Sequence, residues 1–154
     1  MDKGLCFPLY IVSKEIVRKY NNILKDYDLT YTQYITMLML WESDNINIKE
    51  LGDSLLLDSG TLTPLLKKME NKGYIQREKC CKDSRNIYIK LTENGKKLKN
   101  KCNKIHKLVS DCIDISSNEN ERLISILSKM IDKLKEENLW VQLLIQVMNL
   151  KLKF

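Results

Sequence analysis

At 154 residues, 44% hydrophobic and 30% charged, the chain is long enough for one globular domain with a real core plus terminal extensions. Five glycines and two prolines suit long helices with few loops, and no stretch reaches the roughly 20 uninterrupted apolar residues of a membrane span, so no membrane partner is expected. The net charge of +6 is concentrated between Arg77 and Lys107, where eleven basic residues meet three acidic ones for a local +8, a distribution that favours a polyanion as partner.

The N-terminal MDKGLCFPLY lacks a cleavable signal pattern, so a cytoplasmic location is expected. Leu5, Leu9, Val12, Ile16, Tyr20 and Ile23 recur at three- and four-residue steps and predict a first helix. Pro8 fits its first turn, where a missing N–H costs nothing, and Cys6 falls at or just before its start. Thr30 followed by Gln33 is a capping-box pattern opening a second helix through Tyr34, Leu38 and Trp41. After a turn at Ser43–Asn45, Asn47 with Glu50 predicts the same device at the start of a third helix, IKELGDSLLL.

Asp58 or Ser59 caps a fourth helix that runs to Lys72, with Gly73 as the residue just past its end. Pro64 lies several positions inside, so either the first turn is irregular or the helix starts later than its cap suggests. Leu62, Leu65, Leu66 and Met69 form the face that packs on the third helix. Helix, short turn, helix is the pair that reads DNA, and the second member is the reader. On it, Ser59, Thr61 and Thr63 can donate to phosphates or base edges. Pro64 offers an apolar contact to a thymine methyl, and Lys67 and Lys68 reach phosphate or guanine. Alternatively Ser59 simply caps and the lysines are ordinary helix surface.

Ile75–Lys79 and Ile87–Leu91 alternate apolar and polar residues about the polar link CCKDSR, predicting a β-hairpin. Thr92, with Glu93 in the first turn, opens a fifth helix to about Ile113, and Ser116 with Glu119 opens a sixth carrying Leu123, Ile126, Leu127, Met130 and Leu134. The tail LWVQLLIQVMNLKLKF is unusually apolar for a terminus; its expected role is an extra helix packed at a subunit interface, with a disordered, sticky extension as the alternative. The fold class is therefore mainly α with a small β-hairpin wing. Four regions follow: an N-terminal helix (1–30), a winged helix-turn-helix (31–92), C-terminal helices (93–138) and an apolar extension (139–154).

Five cysteines at 6, 80, 81, 102 and 112, with His106 as the sole histidine and no Cys-x-x-Cys pair, argue against a metal site and against a disulfide scaffold; no cofactor is expected. Cys102 is read as structural and His106 as solvated. Cys80 and Cys81 are read as exposed neutral residues of the wing, with secondary oxidation as the alternative.

LCFPLY at 5–10, LTYTQY at 29–34, LWE at 40–42, LDSGTLTPLLKKME at 57–70 and DSR at 83–85 together resemble the MarR family of winged-helix repressors, and within it the organic hydroperoxide resistance regulator (OhrR) branch. The likeness covers roughly residues 4–135. It implies a six-helix MarR-like homodimer with interlocked terminal helices, binding an inverted-repeat operator in double-stranded DNA and released by organic hydroperoxide. By position, Cys6 matches the family's peroxidatic cysteine. Tyr20 and Tyr31 match the tyrosines that hydrogen-bond its sulfur from the partner subunit, with Tyr10 nearby. Arg85 matches the wing-tip arginine of the minor groove, and Asp83 is expected to steady the hairpin beside it. Some members of that branch resolve the oxidised sulfur with a second cysteine near the end of the fifth helix, where Cys112 falls. The resemblance thus implies a Cys6–Cys112 bond between opposite subunits, with a small cellular thiol as the alternative resolver.

The residues around Cys6 suit this chemistry. A helix N-terminus favours the thiolate that attacks a peroxide, and Leu5, Phe7 and Leu9 favour an alkyl or lipid hydroperoxide over hydrogen peroxide. On local features alone, a cysteine in an apolar run is an ordinary buried hydrophobe. Two other functions compete: a repressor released by a small aromatic ligand, with Cys6 a bystander, and a thiol peroxidase. No Arg or Thr flanks Cys6 as a peroxidatic helper, so the reading is a non-enzymatic regulator.

Overall fold

The computed structural model describes residues 4–79 and 86–151, with side chains described up to residue 134 except that of His106. The chain divides into two compact units at Cys112/Ile113.

In the first unit the order is α1 (Cys6–Leu24), a 3-10 turn (Lys25–Tyr27), α2 (Tyr31–Glu42), β1 (Ile46–Asn47), α3 (Ile48–Leu55), α4 (Ser59–Asn71), β2 (Ile75–Lys79), β3 (Ile87–Leu91), α5 (Glu93–Cys102) and α6 (Ile105–Ser110). Each boundary has a chemical cause. Thr30 Oγ1 accepts from the Gln33 N–H (3.3 Å) while Gln33 Oε1 accepts from the Thr30 N–H (3.1 Å), the full capping box that opens α2. Asn47 caps α3, but its Oδ1 accepts from the Lys49 N–H (2.8 Å) rather than sharing a box with Glu50.

Of the two possible caps for α4, Asp58 is the one used: its Oδ1 accepts from the Thr61 N–H at 2.9 Å. The helix accommodates Pro64 at its sixth position, where the ring supplies no N–H to the Gly60 carbonyl. It ends in a Schellman arrangement. Gly73 takes φ +70°, its N–H donates to the Glu70 carbonyl (2.8 Å), and the Tyr74 N–H reaches back to Met69 (3.1 Å).

The hairpin forms as expected, with Ile75 opposite Leu91 and Arg77 opposite Ile89. A third strand, β1, joins its other edge through Ile46 opposite Ile89, giving an antiparallel sheet in the order β1-β3-β2. Two residues are too few for alternation to reveal a strand. The link at 80–85, with Cys80, Cys81, Asp83 and Arg85, lies outside the described residues.

The six expected helices are present, with the fifth interrupted. It was expected to run to about Ile113; it stops at Cys102, and after Asn103–Lys104 the chain re-forms as α6. Lys104 at ψ −11° opens the ladder, yet Leu98, Cys102, Ile105 and Val109 stay buried on one face across the break. Burial is satisfied by either geometry, and no Gly or Pro marks the site. The core joins Leu98, Cys102 and Ile105 to Leu24, Leu29, Tyr34, Met37, Leu40, Leu51, Leu62, Leu66, Met69, Ile75, Ile89 and Leu91.

In the second unit, Ser116 and Glu119 form the expected cap: the Ser116 N–H and hydroxyl donate to Glu119 Oε2 (2.9 and 2.6 Å). The helix they open, α7 (Ser117–Lys151), continues unbroken through 138/139, where a separate extension was expected to begin. Among the described residues, no helix is long and apolar enough to cross a membrane.

One junction locks the sheet to its helices. A Cβ on Gly95 would stand 2.1 Å from the Tyr74 carbonyl oxygen, while the Trp41 Nε1–H donates to the Gly95 carbonyl at 2.9 Å. Only a glycine lets α5 approach the strand so closely. Gly95→Ala is expected to lower stability by about 1–3 kcal/mol, read as a drop in the urea midpoint.

Candidate nucleic-acid interface and sensing site

The packing of α4 decides which of its side chains are available. Leu62, Leu66 and Met69 are buried, so the opposite stripe faces outward. Ser59, Thr61, Thr63, Pro64, Lys67 and Lys68 are all exposed, so every described residue that the sequence suggested for DNA contact lies on an open helix surface. One of them is committed: the Thr61 hydroxyl donates to Asp58 Oδ2 at 2.9 Å, leaving its oxygen as an acceptor. The N–H and hydroxyl of Thr61 together hold the Asp58 carboxyl below the usual carboxylate range.

The basic stretch is less free than its count suggests. Arg77 closes on Glu70, with Nη2 at 2.5 Å and Nε at 2.7 Å from Oε2, which lowers the Glu70 carboxyl. Lys90 pairs with Glu78, and Lys96 with Glu93 at 3.0 Å. Lys99 Nζ donates to the Trp41 carbonyl (3.3 Å). Part of the charge is thus engaged in pairs within the wing and α5.

Cys6 occupies the first position of α1 and is exposed. Around it Leu5 is 59% exposed, Tyr10 54% and Val12 53%, so the first half of α1 presents an uncovered apolar surface. Tyr10, one turn on from Cys6, accepts a hydrogen bond from Lys14 Nζ (3.1 Å), whose ammonium lies 5.1 Å from its ring centroid. Tyr20 and Tyr31 meet at 5.0 Å between centroids, where α1 and α2 pack. Tyr34, which sequence reasoning assigned only to the apolar face of α2, completes the cluster at 5.7 Å from Tyr20 and contacts Trp41 at 6.3 Å. Its position three residues after Tyr31, one helical turn on the same face, was the available signal. Asn21 was also missed; its Oδ1 accepts from the Tyr31 N–H at 2.8 Å and pins the two helices together.

Burial, then the neighbouring Tyr31, raises the Tyr20 phenol, and burial pushes Tyr34 up to about 12. Both stay protonated and able to donate. Tyr20 cannot donate to the Cys6 of its own chain. Tyr20 lies fourteen residues further along the same helix, about 21 Å at roughly 1.5 Å per residue.

Cys112 is exposed just beyond α6, its thiol donating to the Leu108 carbonyl (3.3 Å), and α6 packs on α1. Cys102 is the opposite case. It is buried, and burial pushes its thiol up to about 11, which suppresses the thiolate that reacts with peroxide. Among the described residues, no group of three or more His, Cys, Asp or Glu side chains could hold a metal ion.

Residues 18–102 match the family described as the transcriptional regulator SarA/Rot. The chain is 47% identical to the HTH-type transcriptional regulator SarZ of Staphylococcus aureus over 133 residues, 86% of this chain and 90% of that protein. The chain belongs to the SarA/Rot family of transcriptional regulators. Two solved forms of AbfR, a protein known from Staphylococcus epidermidis, resemble this SarA/Rot chain in fold. Reduced AbfR bound to DNA superposes at a TM-score of 0.76 with 32% identity, covering 86% of this chain and 90% of that one. Disulfide-formed AbfR reaches 0.60 at 32% identity, covering 86% and 88%. A MarR transcriptional regulator from Methanosarcina mazei, at 22% identity and a TM-score of 0.77 over 86% and 96% of the two chains, shares the winged-helix fold.

The Asp58 cap gives this SarA/Rot chain a testable pH response. Its carboxyl is lowered in the folded state, so its stabilising contribution is complete above the ordinary value of 3.8 and is lost as pH falls through the depressed folded value. Asp58→Asn keeps the cap without the titration. Its urea midpoint is expected to fall less than that of the wild type between about pH 5 and pH 2.5.

Proposed function

We propose that this transcriptional regulator is a homodimeric DNA-binding repressor that grips an inverted-repeat operator when reduced and lets go when Cys6 is oxidised by an organic hydroperoxide. The observation that carries the reading is the pairing of two exposed surfaces within one compact unit. One is the outward stripe of α4, with its hydroxyls and lysines. The other is the apolar start of α1, with Cys6 at its first position.

On DNA, the start of α4 enters the major groove, where small residues let the backbone approach base edges, and Lys67 and Lys68 bind phosphate. Two copies related by a two-fold axis place their readers about 34 Å apart, one turn of duplex. Arg85 reaches the minor groove from the wing, with Asp83 steadying the hairpin.

The exposed apolar half of α1 is covered by the second copy. This brings that copy's Tyr20 and Tyr31 hydroxyls to the Cys6 sulfur, which Tyr20 of the same chain cannot reach, with Tyr10 one turn on from it. The Cys6 thiolate attacks the near oxygen of the hydroperoxide, the O–O bond breaks, and the alcohol leaves after taking a proton. The resulting sulfenic acid condenses with the Cys112 thiol of the other chain, forming S–S and releasing water. Uncovered aliphatic neighbours around Cys6 favour alkyl and lipid hydroperoxides. A hundredfold loss of affinity requires only about 2.7 kcal/mol of preference between the two states.

Three measurements test this. In gel-shift titrations, Cys6→Ser is expected to bind the operator like the wild type and to stay bound after cumene hydroperoxide, which releases the wild type. On non-reducing gels the oxidised wild type runs as a cross-linked dimer, a band that either Cys6→Ser or Cys112→Ser abolishes; a small-thiol adduct on monomeric chain would instead assign resolution to a cellular thiol. Lys67→Ala is expected to weaken binding evenly across sequences and to reduce the slope of log K against log salt by about 1. An unchanged slope would remove Lys67 from the phosphate contacts.

A further inference from the structure

We propose that Lys72, at the end of the reading helix, and Asp28, at the end of the sensing helix, form a clamp that transmits movement of α1 to α4. The inference rests on the redox-released repressor described above and adds the residues through which release travels.

The two elements meet end to end. α1 starts at Cys6 and passes at Leu24 into the 3-10 turn, whose closing residue is Asp28. At nineteen residues α1 is a rod of roughly 28 Å, so a rotation imposed at Cys6 is delivered to its far end. There Asp28 is fixed in a left-handed conformation (φ +51°), its N–H donating to the Lys25 carbonyl at 3.1 Å. It holds Lys72 twice: Nζ lies 3.0 Å from Asp28 Oδ1 and also donates to the Asp28 main-chain carbonyl. Lys72 is the C-cap of α4, and its own N–H donates to the Lys68 carbonyl at 3.1 Å.

The same last turn of α4 is tied on its other side. Glu70 takes the guanidinium of Arg77 and also accepts from the Arg77 N–H at 3.3 Å, joining the reader to the first wing strand. Cations at a helix C-terminus are favoured by its dipole, so Lys72 is well placed at the end of α4. The arrangement runs from the end of α1 through Asp28 and Lys72 into α4, and through Glu70 and Arg77 into β2. A displacement of the α1 end therefore moves reader and wing together. As a partly exposed pair the clamp contributes little to stability. Its effect lies in which arrangements of α1 and α4 occur together.

The test compares wild type, Lys72→Met, Asp28→Asn and the double variant, each reduced and oxidised with cumene hydroperoxide. The probe is a duplex selected from a random library by the reduced wild type. Asn tolerates the left-handed conformation, and Asp28 as an anion has no attraction for phosphate, so Asp28→Asn reports on the clamp rather than on a lost DNA contact. The readout is the ratio of oxidised to reduced Kd, which a merely stabilising contact would leave alone. That ratio is expected to fall about threefold to tenfold in each single variant and no further in the double. Singles that release like the wild type, or losses that add in the double variant, would overturn the clamp while leaving the redox reading intact. Wild type that holds DNA unchanged after oxidation would overturn the redox reading and the clamp with it.

Discussion

The close approach of α3 to α4 at Gly52 governs where the reading helix can point. A Cβ at that position would stand 3.1 Å from Leu62 Cδ2 and 3.2 Å from the Leu57 carbonyl oxygen, so the helices meet where one has no side chain. Leu62 joins Leu51 in the core, and so do Leu66 and Met69. With one face of α4 committed, the other must carry Ser59, Thr63, Pro64, Lys67 and Lys68 outward. The connection is held as firmly. Leu56 takes the left-handed conformation (φ +52°), uncommon for a branched side chain, and the Leu57 N–H returns to the Gly52 carbonyl at 2.9 Å. Burial of a few side chains thus orients the surface on which the regulatory reading depends.

The first helix obeys the opposite logic along its length. Leu24, at its end, is fully buried, whereas Leu5, Tyr10 and Val12 at its start are more than half exposed. Uncovered apolar area of this kind is stabilised by covering it, and in our account the covering surface is a second copy. That explains why the Tyr20–Tyr31–Tyr34 cluster sits far along the same helix from Cys6: the sulfur of one copy and the phenols of the other form one site. Cys102 shows what the same element looks like without that role, since burial holds its thiol up to about 11 and takes it out of the chemistry.

Most of the fold was legible because its boundaries are written in local chemistry. The Thr30–Gln33 box, the Asp58 cap, Gly73 and the Ser116–Glu119 box each declare themselves within four residues. What escaped was set by tertiary contact. β1 is two residues of Ile-Asn recruited by an edge of the hairpin, and the break at Asn103–Lys104 carries no Gly or Pro and leaves the buried spacing intact. In the candidate interface the open face of α4 followed from periodicity alone. The pairing of Arg77 with Glu70 and of Lys72 with Asp28 did not, because the second joins residues forty-four positions apart. Charge counted along the sequence overstated the charge available to a partner.

The central claim joins two events at one molecule: DNA held by reduced protein, and DNA released by electron loss at Cys6. Fluorescence anisotropy of a labelled operator duplex, followed while cumene hydroperoxide is titrated into the bound complex and then reversed with dithiothreitol, observes both at once. The account predicts a fall in anisotropy that saturates when oxidant is stoichiometric with the chain and returns on reduction. Anisotropy that stays level through excess hydroperoxide, or that falls equally in Cys6→Ser, would contradict it.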